Sequence, residues 1–158
     1  MPKILLVDDE KLVLDSLCRA LAAEGYDLEC AVDGAQALEM LEKTTFDVVV
    51  TDIVLPKISG MDLLKQVRQS QPEAKVILIT GNPDMDSAAE AVRAGAFDYI
   101  VKPFKLKQLS ECVASALRVK GIDEENSEYK RILEASAERR EVELFLSEEK
   151  FRDRKSTR

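Results

Sequence analysis

Asp8, Asp9, Asp52, Thr80 and Lys102 are the residues of this chain whose types and positions could handle a phosphoryl group, because each stands at the end of a short apolar run. Three carboxylates gathered at one place repel, by roughly 1 to 4 kcal/mol for a pair about 4 Å apart depending on the effective dielectric. Cationic partners must therefore sit among them. Lys102 supplies one fixed positive charge, and Mg²⁺ suits the rest, since it takes an all-oxygen set of carboxylates, water and an incoming phosphate oxygen. With its charge neutralised, a carboxylate can attack phosphorus and form an acyl phosphate. Asp52 is the candidate nucleophile, lying between the acidic pair and the lysine. Thr80 would donate to a phosphoryl oxygen, and positioning plus electrostatic stabilisation is most of what phosphoryl transfer needs. A threonine hydroxyl drawn toward phosphate would vacate space that Tyr99 could fill, giving a two-state readout.

Each of these residues also has a plainer use. Asp8 and Asp9 could cap a helix, although neither has Glu or Gln three residues on to complete a capping box. Asp52 and Thr80 could be turn formers, Lys102 a solvated charge, and Tyr99 ordinary strand packing. Their coincidence at one rim favours the chemical reading.

The elements that would position them follow from periodicity. Apolar, β-branched runs at 4–7, 28–32, 46–50, 76–79 and 99–101 alternate with amphipathic stretches at 11–24, 35–42, 61–69, 87–94 and 106–119. Five strands each followed by a helix is the pattern of a parallel sheet, and the near absence of polar alternation within the strands implies helices on both faces. The expected fold is α/β, a doubly wound, flavodoxin-like sheet of order 2-1-3-4-5 with right-handed crossovers. Gly25 fits the end of the first helix, Asp33-Gly34 and Ser59-Gly60 fit capped helix starts, and Asn82-Pro83 fits another. Ligands of such sheets bind outside the carboxyl ends of the strands, which is where the five residues fall.

Composition narrows the chemistry. The 158 residues, 46% hydrophobic, suffice for one core plus an appendage. There is no histidine, which removes Ser-His and Cys-His catalysis and any phosphohistidine carried by this chain. A net charge of −7 argues against direct nucleic-acid binding. No apolar run reaches the length of a membrane span and no signal peptide opens the chain, so a soluble, cytoplasmic protein without a membrane partner is expected. Cys18, Cys30 and Cys112 have no CxxC spacing and are expected as buried free thiols.

Taken together, ILLVDDE at 4–10, VTDIVLP at 50–56 with Gly60 and Met61, VILITG at 76–81 and GAFDYIVKPF at 95–104 resemble the response-regulator receiver domain of two-component signalling. The resemblance covers about residues 3–119. It implies that Asp52 is the phosphoacceptor, that Asp9, Asp52 and the backbone carbonyl of Val54 coordinate Mg²⁺ directly and Asp8 largely through water, and that Lys102 pairs with the phosphoryl group. It further implies a Thr80–Tyr99 switch pair and a cis Lys102–Pro103 bond, which brings Pro103 into the switch region. The phosphoryl donor would be a partner histidine kinase or histidine phosphotransfer protein, and the responding or dimerising face would be the fourth helix, fifth strand and fifth helix. IVLP after Asp52 and GNP after Thr80 resemble receivers of the nitrogen-regulator type; the ATPase and DNA-binding modules of that type have no counterpart here, so output through protein contacts is expected.

Residues 1–120 are thus expected to form the receiver and 121–158 a charged helical tail, Gly121 ending the fifth helix. Tyr129, Leu133, Ala137, Leu144 and Phe151 fall near one helical face, interrupted at Arg140 and Ser147, which suggests a coiled coil or a linker to an output or sensory domain. Residues 146–152 resemble the lead-in to a sensory PAS domain. Two rivals to the switch are a receiver used only for docking and a phosphatase turning over an aspartyl phosphate; the latter needs an acid two residues after its nucleophile, where this chain has Val54. The expectation is a switch that catalyses only its own phosphorylation and dephosphorylation, not an enzyme acting on other substrates.

Overall fold

In the computed structural model, which describes residues 1–81 and 85–139, the apolar runs become β1 (Lys3–Val7), β2 (Asp27–Ala31), β3 (Val48–Asp52), β4 (Lys75–Thr80) and β5 (Asp98–Val101). Between and after them lie α1 (Lys11–Ala22), α2 (Gly34–Lys43), α3 (Gly60–Ser70), α4 (Met85–Arg93) and α5 (Leu106–Arg139). The strands pair in parallel in the order β2-β1-β3-β4-β5, the doubly wound arrangement expected from the alternation of periods.

Strand alternation splits the interior into two layers. Leu5, Val7, Val49, Val76 and Leu78 meet Ala37 and Leu41 of α2, Leu63, Leu64 and Val67 of α3, and Ala91 of α4. Ile4, Leu6, Val48, Val50, Ile77 and Ile79 meet Leu14 and Leu21 of α1 and Leu109, Val113 and Ala116 of α5. Each fully buried aliphatic side chain contributes about 1.5 to 3 kcal/mol, and both faces of the sheet are covered.

Helix starts follow the local chemistry in part. Asp33 caps α2, accepting from Gln36 N–H at 2.7 Å, and Gln36 Oε1 reaches back to accept from Val32 N–H, one residue before the cap, at 2.9 Å. Ser59 caps α3, accepting from Asp62 N–H at 3.1 Å. Gly25, past the end of α1, has φ +98°, the left-handed region open to glycine. The cap expected at Asn82-Pro83 lies outside the described residues.

Two expectations are corrected. Gly121 does not end the fifth helix, since α5 is helical through it; one glycine costs only about 1 kcal/mol against alanine, too little by itself to break a helix. The chain divides by contacts into Met1–Gly121 and Ile122–Arg158. Residues 140–158, with the Leu144–Phe151 part of the proposed stripe and the PAS-like stretch, lie outside the described residues, as do the side chains of Tyr129, Leu133 and Ala137.

The second correction concerns the cysteines. Cys18 and Cys30 are joined by a disulfide, and Cys112 alone is free and buried. The spacing of the pair gives no motif, but a βα crossover folds α1 back along β2 and brings the two sulfurs together.

Candidate functional site

Parallel register aligns the strand ends that matter. Val7 pairs with Thr51, Asp52 with Ile79, and Thr80 with Val101, so the residues following β1, closing β3 and β4 and following β5 emerge at one rim. Two backbone hydrogen bonds extend the ladder there, from Ile53 N–H to Ile79 O at 2.9 Å and from Lys102 N–H to Thr80 O at 2.7 Å. The second of these fixes where the Lys102 side chain starts.

At this rim one carboxylate oxygen each of Asp8, Asp9 and Asp52 lies within 4.8 Å of the others. Asp8 and Asp52 are buried, 3% and 7% exposed, while Asp9 is open to solvent. Lys102 Nζ stands 2.8 Å from Asp52 Oδ2 and 3.8 Å from Asp8 Oδ2. Asp8 Oδ1 accepts from Glu10 N–H at 2.9 Å, so Asp8 bonds the backbone at the start of α1 while its other oxygen faces the lysine. Asp52 Oδ1 receives a longer contact from Val54 N–H at 3.4 Å.

The electrostatics follow from this crowding. Burial pushes the Asp8 carboxyl above its usual range, partly offset by the Glu10 N–H and the Lys102 ammonium. Burial also works against the Lys102 charge, but the hydrogen bond to Asp52 and the carboxylates of Asp52 and Asp8 outweigh it and raise its pKa. Three carboxylates facing one ammonium leave two formal negative charges at a site where two of the acids are buried. An all-oxygen donor set with that imbalance fits a hard divalent cation, and the carboxylates of Asp8, Asp9 and Asp52 are the groups that would hold it.

The other predicted residues fall nearby or one layer below. Thr80 is 5% exposed at the end of β4. Register puts Leu78 opposite Tyr99 and Thr80 opposite Val101, so Thr80 and Tyr99 share one face of neighbouring strands, two residues out of step. Tyr99 is half-buried and packs against the layer containing Ala91 of α4. The Lys102–Pro103 peptide is cis.

Sequence reasoning missed how closely backbones approach here. A Cβ on Gly60 would collide with Asp52 O and Ile53 Cα, and Gly60 N–H donates to Ile53 O at 2.8 Å. Gly60 therefore closes the 53–59 loop directly onto the Asp52 peptide. Its place after Ser59 explains a helix cap and conceals this second demand.

Comparisons with known proteins agree with the geometry. The response regulator receiver domain family matches residues 4–114. Regulatory protein AtoC of Escherichia coli (strain K12) is 39% identical over 123 residues, 78% of this chain and 27% of that protein. A CheY-like receiver domain protein from Methanospirillum hungatei JF-1 superposes with a TM-score of 0.75 at 32% identity, covering 78% of this chain and 98% of that one. The response regulator TrrA of Thermotoga maritima, solved in complex with Mg²⁺–BeF, gives 0.67 at 35% identity, covering 74% of this chain and all of that one. Against curated response regulators the chain spans 27% of AtoC and 51% of MprA from Mycobacterium leprae. The sheet order, the acidic rim and these matches agree that the chain belongs to the response regulator receiver domain family.

Proposed function

We propose that this chain is a Mg²⁺-dependent phosphorylation switch in which Asp52 is the phosphoacceptor. The observation that carries the reading is the buried Asp52 carboxylate, held 2.8 Å from Lys102 Nζ and within 4.8 Å of the Asp8 and Asp9 carboxylates. In the reaction an Asp52 carboxylate oxygen bonds to phosphorus as the bond from phosphorus to the donor breaks. The leaving atom, the imidazole nitrogen of a phosphohistidine, departs with the electron pair. Lys102 neutralises charge on the phosphoryl oxygens, and Thr80 donates a hydrogen bond to one of them. Asp9, Asp52 and the Val54 carbonyl, with Asp8 largely through water, would hold Mg²⁺, which when bound would supply further positive charge to the same oxygens. The complex of TrrA with Mg²⁺–BeF supports this assignment by analogy.

The readout runs through Thr80 and Tyr99, whose shared face and two-residue offset suit a coupled movement beside Pro103, toward the surface of α4, β5 and α5. That surface, or the helical segment from residue 121 on, is where a homodimer or output partner docks. A histidine kinase or histidine phosphotransfer protein docks at the rim itself. Leu12 in the first turn of α1, Val54 after β3 and Leu106 at the start of α5, all in segments that follow strand ends on the rim side, are 87%, 75% and 42% exposed and are offered as its apolar contacts. The net charge of −7 disfavours direct contact with nucleic acid. No helix among the described residues is long and apolar enough to cross a membrane. The reading is of a cytoplasmic switch whose chemistry is its own phosphorylation and dephosphorylation.

Intact mass after incubation with acetyl phosphate, with and without Mg²⁺, tests the reading in wild type and Asp52→Ala. A Mg²⁺-dependent phosphoryl adduct lost in the variant is expected. No adduct in wild type under any condition would overturn it and leave a docking module in its place.

A further inference from the structure

The loop of residues 53–59 carries the backbone of Val54 and is held at its two ends. Ile53 N–H bonds Ile79 O at 2.9 Å, and Gly60 N–H bonds Ile53 O at 2.8 Å. Between these anchors the loop makes its own tight turn, with Ile58 N–H bonded to Pro56 O at 2.8 Å and Lys57 at φ +69°. From outside, the middle of the loop is met by the first residue of α2. Gly34 is buried, and a Cβ there would lie 2.7 Å from Ile58 Cβ, 2.9 Å from Ile58 O and 3.1 Å from Ile58 Cγ2. Two of these distances are shorter than real Cβ atoms show, and one involves backbone that cannot rotate away.

The surface doing the pressing is stiff. Asp33 accepts from Gln36 N–H and Gln36 accepts from Val32 N–H, so the first turn of α2 holds its own shape where it meets the loop. The body of α2 is packed into the core through Ala37, one turn in, and Leu41, which anchors the terminus where it stands. Any atom added at residue 34 must therefore be absorbed by the loop, which has only its turn to give.

We propose that Gly34 is a positioning residue for the divalent-cation site. The capped N-terminus of α2 abuts Ile58, holds the 53–59 loop in place, and so keeps the Val54 peptide beside the Asp52 carboxylate, which its N–H meets at 3.4 Å. Gly34 touches no ligand itself; it sets how well the loop presents an oxygen to a cation. The inference rests on the phosphorylation-switch reading above, for the assignment of the cation to this rim.

The test is a Mg²⁺ titration of the full chain followed by amide chemical shifts, with no phosphodonor present. Gly34→Ala is expected to weaken Mg²⁺ binding about ten-fold, the lower end of what displaced supporting groups cost a metal site. Ile58→Gly removes the pressed Cβ from the other side and is also expected to weaken binding. The double variant, relieved of the Ile58 Cβ and Cγ2 contacts though not of Ile58 O, should bind more tightly than Gly34→Ala. Gly95→Ala serves as the stability control: Gly95 has φ +95° and its Cβ would meet Arg68, so the variant is strained far from the rim and should keep wild-type Mg²⁺ affinity. Wild-type affinity in folded Gly34→Ala, or, if that variant does not fold, in Ile58→Gly, would overturn the positioning role while leaving the switch reading intact. Absence of Mg²⁺ binding in wild type would instead overturn the switch reading, and the inference with it.

Discussion

Lys102 Nζ lies 2.8 Å from Asp52 Oδ2, across fifty residues of sequence, and reaches Asp8 Oδ2 at 3.8 Å. One ammonium is thus shared between the two buried acids of the rim. Replacing it, as in Lys102→Met, leaves both carboxylates without their fixed counter-charge. The expected cost without metal is about 1 kcal/mol, discounted because the lysine head is partly solvated. Thermal melts with and without Mg²⁺ should show the ion restoring more stability to the variant than to wild type. Phosphorylation by acetyl phosphate should slow by about a hundred-fold or more.

Asp8 makes the opposite case. Burial holds its carboxyl above the usual range, so the folded state disfavours its charge and is weakened wherever that carboxyl is ionised. The penalty is absent below the unfolded pKa near 3.8 and grows as pH rises through the raised folded value. Asp8→Asn removes it and can still accept from Glu10 N–H. At neutral pH the variant without metal should melt at a temperature equal to or above that of wild type, and it should gain less from added Mg²⁺. A large loss of stability without metal would contradict this account of the rim.

How far the sequence alone reaches is plain from particular residues. The sheet order was legible because apolar runs of period two alternate with stretches of period 3.6, and the strand-end rule selected Asp8, Asp9, Asp52, Thr80 and Lys102. Three of these have carboxylate oxygens within 4.8 Å of one another, with Lys102 alongside. Contacts between elements were not legible. Gly34 reads as part of a helix start, and only the folded chain brings Ile58 against it. The Cys18–Cys30 pair likewise depends on how α1 returns along β2. Gly121 was over-read because one glycine, at about 1 kcal/mol, is a weak breaker.

Val54, two residues past Asp52, exposes 75% of its surface, and on the proposed switch reading it flanks the path of a water attacking an aspartyl phosphate. An isopropyl group offers that water no hydrogen bond, so the phosphorylated state should be comparatively long-lived. Val54→Asn adds a donor and an acceptor without altering the backbone. Loss of the phosphoryl group, followed by intact mass after donor removal, should accelerate about ten-fold, a barrier change of about 1.4 kcal/mol. An unchanged lifetime would remove Val54 from the account of hydrolysis.

Cys112 is buried on α5 with Sγ 3.6 Å from Asp98 Oδ2. Burial first, then the Asp98 charge and hydrogen bond, push its thiol up to about 12. The thiolate is the reactive form, so iodoacetamide at pH 8.5 should leave the folded protein unlabelled. Denaturation without reductant should expose one thiol and denaturation with reductant three, since Cys18 and Cys30 are paired. The same group sets a pH dependence of stability. Below its usual value near 9 the thiol is neutral in both states. Between that value and about 12 the unfolded chain releases the proton while the folded chain retains it, so stability falls as pH rises. Denaturant titrations at pH 8 and pH 10 should therefore show a smaller alkaline loss for Cys112→Ala than for wild type. Equal losses would mean that the thiol ionises as readily in the folded chain as in the unfolded one.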